Sequence, residues 1–146
     1  MHMSDKHVTL EEKRNEIYKD NEKHLAGFEK WLKDKGLSQK TINTHLSNMD
    51  FFINDYLGYD VQDVSQGCHR IDSFLGGWFI RKASWSSCAH IKSYAAGFKK
   101  FYAYLLEVKV VKHEDYDDLC ETIKECMPEW LEEMRRYEDM LLKDYY

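Results

Sequence analysis

The stretch Ser84-Trp85-Ser86-Ser87-Cys88-Ala89-His90-Ile91-Lys92-Ser93-Tyr94-Ala95-Ala96-Gly97-Phe98-Lys99-Lys100-Phe101-Tyr102-Ala103-Tyr104-Leu105 spaces Ile91, Tyr94, Ala95, Phe98, Phe101, Tyr102 and Leu105 three or four positions apart. That period gathers all of them on one stripe of an α-helix, whereas a strand would scatter them over both faces. The serines before Cys88 supply N-caps, because a short hydroxyl side chain can satisfy a backbone N–H that has no partner inside the helix. Segments on either side repeat the pattern. A Thr9-Leu10-Glu11-Glu12 capping box opens a first helix with Ile17, His24, Leu25, Phe28, Trp31 and Leu32 on its stripe, closed by Gly36. Ser38 caps a second, through Ile42, Leu46, Met49, Phe52, Ile53, Tyr56 and Leu57 to a stop at Gly58.

Residues 59–69 show no period and contain turn formers, so they read as a loop. Ile71, Phe74, Leu75, Trp78 and Phe79 mark a short third helix, in which Gly76-Gly77 point to close packing against a neighbour. After Val108-Lys109-Val110-Val111, too short a run to assign to a strand, Tyr116, Leu119, Ile123 and Met127 mark a fifth helix. Pro128 then opens a sixth carrying Trp130, Leu131, Met134, Tyr137 and Leu141, since proline fits the first turn of a helix. The expected fold is all-α, a single bundle of five to six helices with Phe28, Trp31, Leu46, Phe52, Phe74, Trp78, Ile91, Phe98 and Phe101 in its core. Composition divides the chain into an extension and helix start over 1–24, a helical domain over 25–112, and acidic helices over 113–146 packing on the same bundle or on a partner.

The 146 residues suit an ordinary globular domain, and 14% aromatics with a single proline argue against disorder. No apolar run approaches the roughly 20 residues of a membrane span. Met1–His7 lacks the apolar core of a secretory signal, with Met3 as the expected native start, so a cytoplasmic location is expected. The net charge of −5 conceals an asymmetry: positive and negative side chains number eight and eight over 1–37, nine and six over 38–112, and four and twelve over 113–146. An anionic partner would therefore meet the middle of the chain.

Within Leu25–Leu106, the run Phe28-Glu29-Lys30-Trp31-Leu32-Lys33-Asp34-Lys35-Gly36-Leu37-Ser38-Gln39-Lys40-Thr41-Ile42, the ridge Leu46, Met49, Phe52 and Ile53, the segment Ile71-Asp72-Ser73-Phe74-Leu75 and the helix from Trp85 to Leu105 succeed one another in a characteristic order. Together these segments, about 80 of the 146 residues, resemble the N-terminal core-binding (SAM-like) domain of the tyrosine recombinase, or phage integrase, family. The resemblance implies a fold that lies against duplex DNA and takes part in site-specific recombination and DNA integration. It also implies that cleavage belongs to a separate domain with a His-x-x-Arg box and a nucleophilic tyrosine. No histidine here has arginine three positions on. No enzymatic activity is expected, and no catalytic residue is assigned.

The candidate DNA contacts are Lys40, Asn43 and Thr44 on the polar face of the second helix, Ser86 and Ser87 at the N-terminus of the fourth, and Lys92, Lys99 and Lys100 along it. Lysines, hydroxyls and helix N-termini are the groups that hold phosphates, and such contacts position a protein more than they specify a sequence. Arg81-Lys82, with Arg70, could extend the basic surface or read as cations at a helix end, and Tyr137 after Arg135-Arg136 reads as surface helix. His24 and His45 read as packing residues. Cys68-His69 could meet Cys88 and His90 around a metal, yet no pair has finger-like spacing, so neither metal nor cofactor is expected. The acidic tail is apolar enough to dock, either on its own bundle or against a second copy as a homo-oligomer, or it could face the lysines as an internal DNA mimic. The alternative function is a helical interaction or assembly module that keeps the fold without DNA affinity.

Overall fold

A computed structural model of the chain describes residues 9–145, so the reading of Met1–His7 lies outside the described residues. The fold is all-α, and no strand occurs among the described residues. No helix among them is long and apolar enough to cross a membrane. The chain forms two compact units, Met1–Gly67 and Cys68–Tyr146. The compositional limits mark a different division: position 24/25 falls inside the first helix, and position 112/113 at the start of the last.

In the N-terminal unit, α1 (Leu10–Asp34) begins as the capping box requires, with the Thr9 hydroxyl accepting from the Glu12 N–H at 3.1 Å. It ends in a Schellman turn. Leu37 N–H bonds to Leu32 O, Gly36 N–H bonds to Lys33 O, and Gly36 takes the left-handed φ of +80° that glycine adopts without a Cβ penalty. Next, α2 (Gln39–Asp50) runs directly into a π-helical segment, Phe51–Leu57. Gly58 does not stop this helix as expected; its φ is −61°. Its role is clearance, because a Cβ there would stand 2.8 Å from Tyr18 Cε1. Three α1 residues spaced along one face clamp this end of the π segment. Arg14 donates to the carbonyls of Gly58 and Tyr59, Tyr18 lies over Gly58, and buried Asn21 donates to Ile53 O and to Asn54 Oδ1.

The expected loop over 59–69 contains α3 (Val64–Gly67). Asp63 and Gln66 form a capping pair there: Asp63 Oδ1 accepts from Ser65 N–H, and Gln66 Oε1 accepts from Asp63 N–H. Four residues are too few for periodicity to register, so the caps were the only signal.

In the C-terminal unit, α4 (Ile71–Ser73), a π segment (Phe74–Trp78) and α5 (Phe79–Lys82) form one continuous short helix, followed by α6 (Cys88–Glu107) and α7 (His113–Tyr145). Within this unit α7 packs on α4, α5, α6 and the π segment. Pro128 does not open a sixth helix; it lies exposed inside α7. Buried Leu119 and Ile123 before it, and Trp130 and Met134 after it, repeat at intervals of eleven, close to three turns, so one stripe passes through the proline without a change of phase. Burial on that stripe outweighs the lost hydrogen bond, which faces solvent. Of the glycine pair, only Gly76 marks close packing. A Cβ there would lie 2.9 Å from Trp130 Cδ1, whereas at Gly77 it would meet only Arg81 Nη1 at 3.7 Å.

Six of the nine expected core residues are wholly buried: Phe28, Phe52, Phe74, Ile91, Phe98 and Phe101. Trp31, Leu46 and Trp78 are instead half-buried. Trp31 stacks on Phe28 and carries Lys35 Nζ 5.0 Å from its ring centroid, which places it at the rim.

Phe98 meets Phe74 edge-on at 6.0 Å and Tyr94 at 6.1 Å. Phe98→Ala should destabilise the protein by about 3–5 kcal/mol, read from the urea midpoint at constant m-value. Gly76→Ala should cost about 1–3 kcal/mol through overpacking against Trp130 and should alter tryptophan fluorescence. An unmoved midpoint in either variant contradicts the packing described.

Candidate functional site

The polar face of α2 begins with its cap. Ser38 accepts from Thr41 N–H at 3.2 Å and leaves Lys40, Asn43, Thr44 and Ser47 exposed. No acid occurs from Ser38 to Met49. Thr44 Oγ1 donates back to Lys40 O at 3.1 Å, and Asn43 Oδ1 accepts from Gln39 at 2.8 Å. Asn43 is thereby oriented with its N–H donors available to an outside acceptor. Asn48, which the sequence places on the same polar face, is buried.

On α6, Lys92 and Lys99 are exposed seven positions apart and Lys100 is half-buried. Seven residues return nearly to the same angle, so Lys92 and Lys99 share one face, roughly 10 Å apart along the axis. Among the described residues, none of Lys40, Lys92, Lys99 and Lys100 takes part in an ion pair. Ser86 and Ser87 serve the fold itself. Ser87 caps α6 by accepting from His90 N–H at 3.1 Å, and Ser86 Oγ donates to Ile80 O at 2.9 Å. The eight candidates thus divide, with Lys40, Asn43 and Thr44 in the N-terminal unit and the other five in the C-terminal unit.

Two acids of α7 pair with arginines. Arg81 pairs with Glu133 at 3.1 Å, and Arg136 bridges Glu132 and Glu133. Tyr137 is half-buried beside this network. His45 is buried, and burial is the largest influence on half-buried His24, lowering its pKa against the opposing pull of Asp20 and Asp63.

The C-terminal unit also contains an acidic cleft of about 370 Å³ whose lining includes Cys68, His69, Asp72, Asp118, Glu121 and Cys126. At its edge His69 Nε2 stands 3.2 Å from Asp115 Oδ1, and the donor atoms of Cys68, His69 and Asp115 all lie within 4.8 Å of one another. Asp115 Oδ2 accepts from Lys112 N–H at 3.3 Å, which aims Oδ1 at the imidazole. Cys88 and His90 do not join this group. The Cys88 thiol donates to Leu131 O, and His90 Nδ1 faces Ser87 Oγ at 2.8 Å. Sequence spacing had no means of finding Asp115, which only the docking of α7 brings beside Cys68 and His69. Burial, aided by Asp115, pushes the Cys68 thiol up to about 11.

No family model, curated protein or solved structure matches the chain.

A thiol held neutral by the fold favours the folded state fully below its ordinary value of 9.0, and that advantage is lost as pH rises through about 11. In the EDTA-dialysed protein at pH 8, Cys68 should resist iodoacetamide and react promptly once urea unfolds the chain. Peptide mass mapping reads both states, and rapid labelling of Cys68 in the folded protein contradicts its burial.

Proposed function

We propose that the chain is a non-catalytic module that binds duplex DNA, of the kind found at the front of tyrosine recombinases. The observation that supports this reading most is the α2 face, where Lys40, Asn43 and Thr44 are exposed on a helix free of acids from its cap to Met49. A polyanion meets no acid along that face until Asp50, at the C-terminal end of the helix. Lys92, Lys99 and Lys100 on α6 supply a second set of cations outside the described ion pairs. Ser86 and Ser87 contribute by holding the start of α6, since their hydroxyls are engaged within the chain. The resemblance implies recombination and integration as the setting, with the chemistry carried out elsewhere.

Phosphate contacts release counterions, so log affinity should fall linearly with log salt, at about −0.9 per contact. Lys40→Ala and Lys99→Ala should each weaken binding across sequences and reduce that slope by about one. Fluorescence anisotropy at several salt concentrations, with circular dichroism to confirm folding, measures both effects. Because α7 supplies core residues, its acids are better tested by Glu129→Gln and Glu138→Gln than by truncation at Lys112. Folded protein with no affinity at low salt overturns the DNA reading. That result would promote the interaction module, for which exposed Met140, Leu141 and Leu142 near the end of α7 favour a second copy of the chain as partner. Sedimentation velocity would then show a dimer.

A further inference from the structure

We propose that Cys68, His69 and Asp115 form a binding site for a divalent transition-metal ion, with Zn²⁺ the ion their chemistry suits. A thiolate, an imidazole and a carboxylate are its ordinary protein ligands, and the thiol and imidazole discriminate against Ca²⁺ and Mg²⁺, which prefer all-oxygen shells. In a tetrahedral site with bonds of about 2.0–2.3 Å, adjacent donors stand about 3.3–3.7 Å apart. His69 Nε2 and Asp115 Oδ1 are already at 3.2 Å, and the thiol is within 4.8 Å of both, so a side-chain shift of about 1 Å completes the set.

Independent features of the surroundings point the same way. The ligands come from two distant segments, the start of the C-terminal unit and the first turn of α7, so a bound ion would tie them together. The Lys112 N–H holds Asp115 in place from behind, the supporting contact that metal-ligating carboxylates commonly have. Asp118, Glu121 and Asp72 line the adjoining cleft and favour a cation there. The sulfur is buried while the imidazole reaches solvent, which leaves a path of entry. On binding, the Cys68 S–H bond breaks, its proton passes to solvent, and the sulfur lone pair forms the bond to the metal. Three protein ligands leave a fourth position for water.

The test uses the full chain stripped with EDTA, with Zn²⁺ binding measured by calorimetry and Co²⁺ as a spectroscopic substitute. The expected result is one equivalent bound, a rise in melting temperature, and a sulfur-to-cobalt charge-transfer band that disappears in Cys68→Ser. His69→Ala and Asp115→Asn, whose side chains are not core, should each weaken binding by at least about tenfold. Cys126→Ser, at another wall of the cleft, should leave affinity and spectrum unchanged. Any of three results overturns the proposal: no binding by folded protein, binding that survives His69→Ala and so lies elsewhere in the chain, or equal uptake of Ca²⁺ by the wild type and Cys68→Ser, which would mark an acidic cleft only.

Discussion

The C-terminal unit depends on the seating of Trp130. Its indole is almost fully buried against Gly76, and its Nε1–H donates to Asp72 Oδ1 at 2.7 Å. An indole brings a large apolar surface but also one donor that must be satisfied once buried. Gly76 provides the room, and Asp72, one turn earlier, provides the acceptor. With that point fixed, the α7 stripe settles its neighbours: Met134 and Ile123 are buried with it, Glu133 reaches Arg81, and Asp115 arrives beside His69.

The same arrangement explains why the short helix widens into a π segment at Phe74–Trp78. A π turn adds one residue per turn and rotates the residues after it, and such turns are uncommon outside sites that need the rotation. Here Phe74 and Phe79, at either end, both reach Tyr94 on α6, with centroids 5.4 and 4.8 Å apart. The N-terminal unit uses a second π segment, over Phe51–Leu57, where Asn21 donates to the Ile53 carbonyl. In both units a helix is under-wound locally, and a polar or aromatic contact from a neighbouring helix accompanies it.

Long apolar stripes and N-caps were legible in the sequence because they are local: Thr9, Ser38 and Ser87 all cap as their residue types suggest. Pro128 misled because its preference for a first turn is weaker than the burial of a stripe that continues through it. Gly58 misled for a related reason, since a glycine can mark a close approach as readily as a stop. The exposure of Lys40, Thr44, Lys92 and Lys99 was legible, but the engagement of the Ser86 hydroxyl within the chain was not. Whether Ser86 looks outward or donates to Ile80 O is decided by the turn before α6, which no periodicity encodes. Asp115 beside Cys68 and His69 was the least legible, because that contact depends wholly on how α7 docks.

The charge of α7 bears on both proposed functions, and magnitude decides how far. A Zn²⁺ bound with loss of the Cys68 proton adds one net positive charge to a unit whose last helix carries twelve acids against four cations. Between unit charges 10 Å apart in water the interaction is about 0.4 kcal/mol, and physiological salt screens it further. Several phosphates near α6 would feel this together, yet the change falls well short of the roughly 1.4 kcal/mol that alters an affinity tenfold. Linkage between metal and DNA through charge alone is therefore weak. By contrast, an ion holding Cys68 and His69 to Asp115 resists the undocking of α7 by an amount that grows with its occupancy. The metal would act on DNA binding chiefly by keeping α7 packed against α6, so that the helix bearing Lys92, Lys99 and Lys100 stays in place.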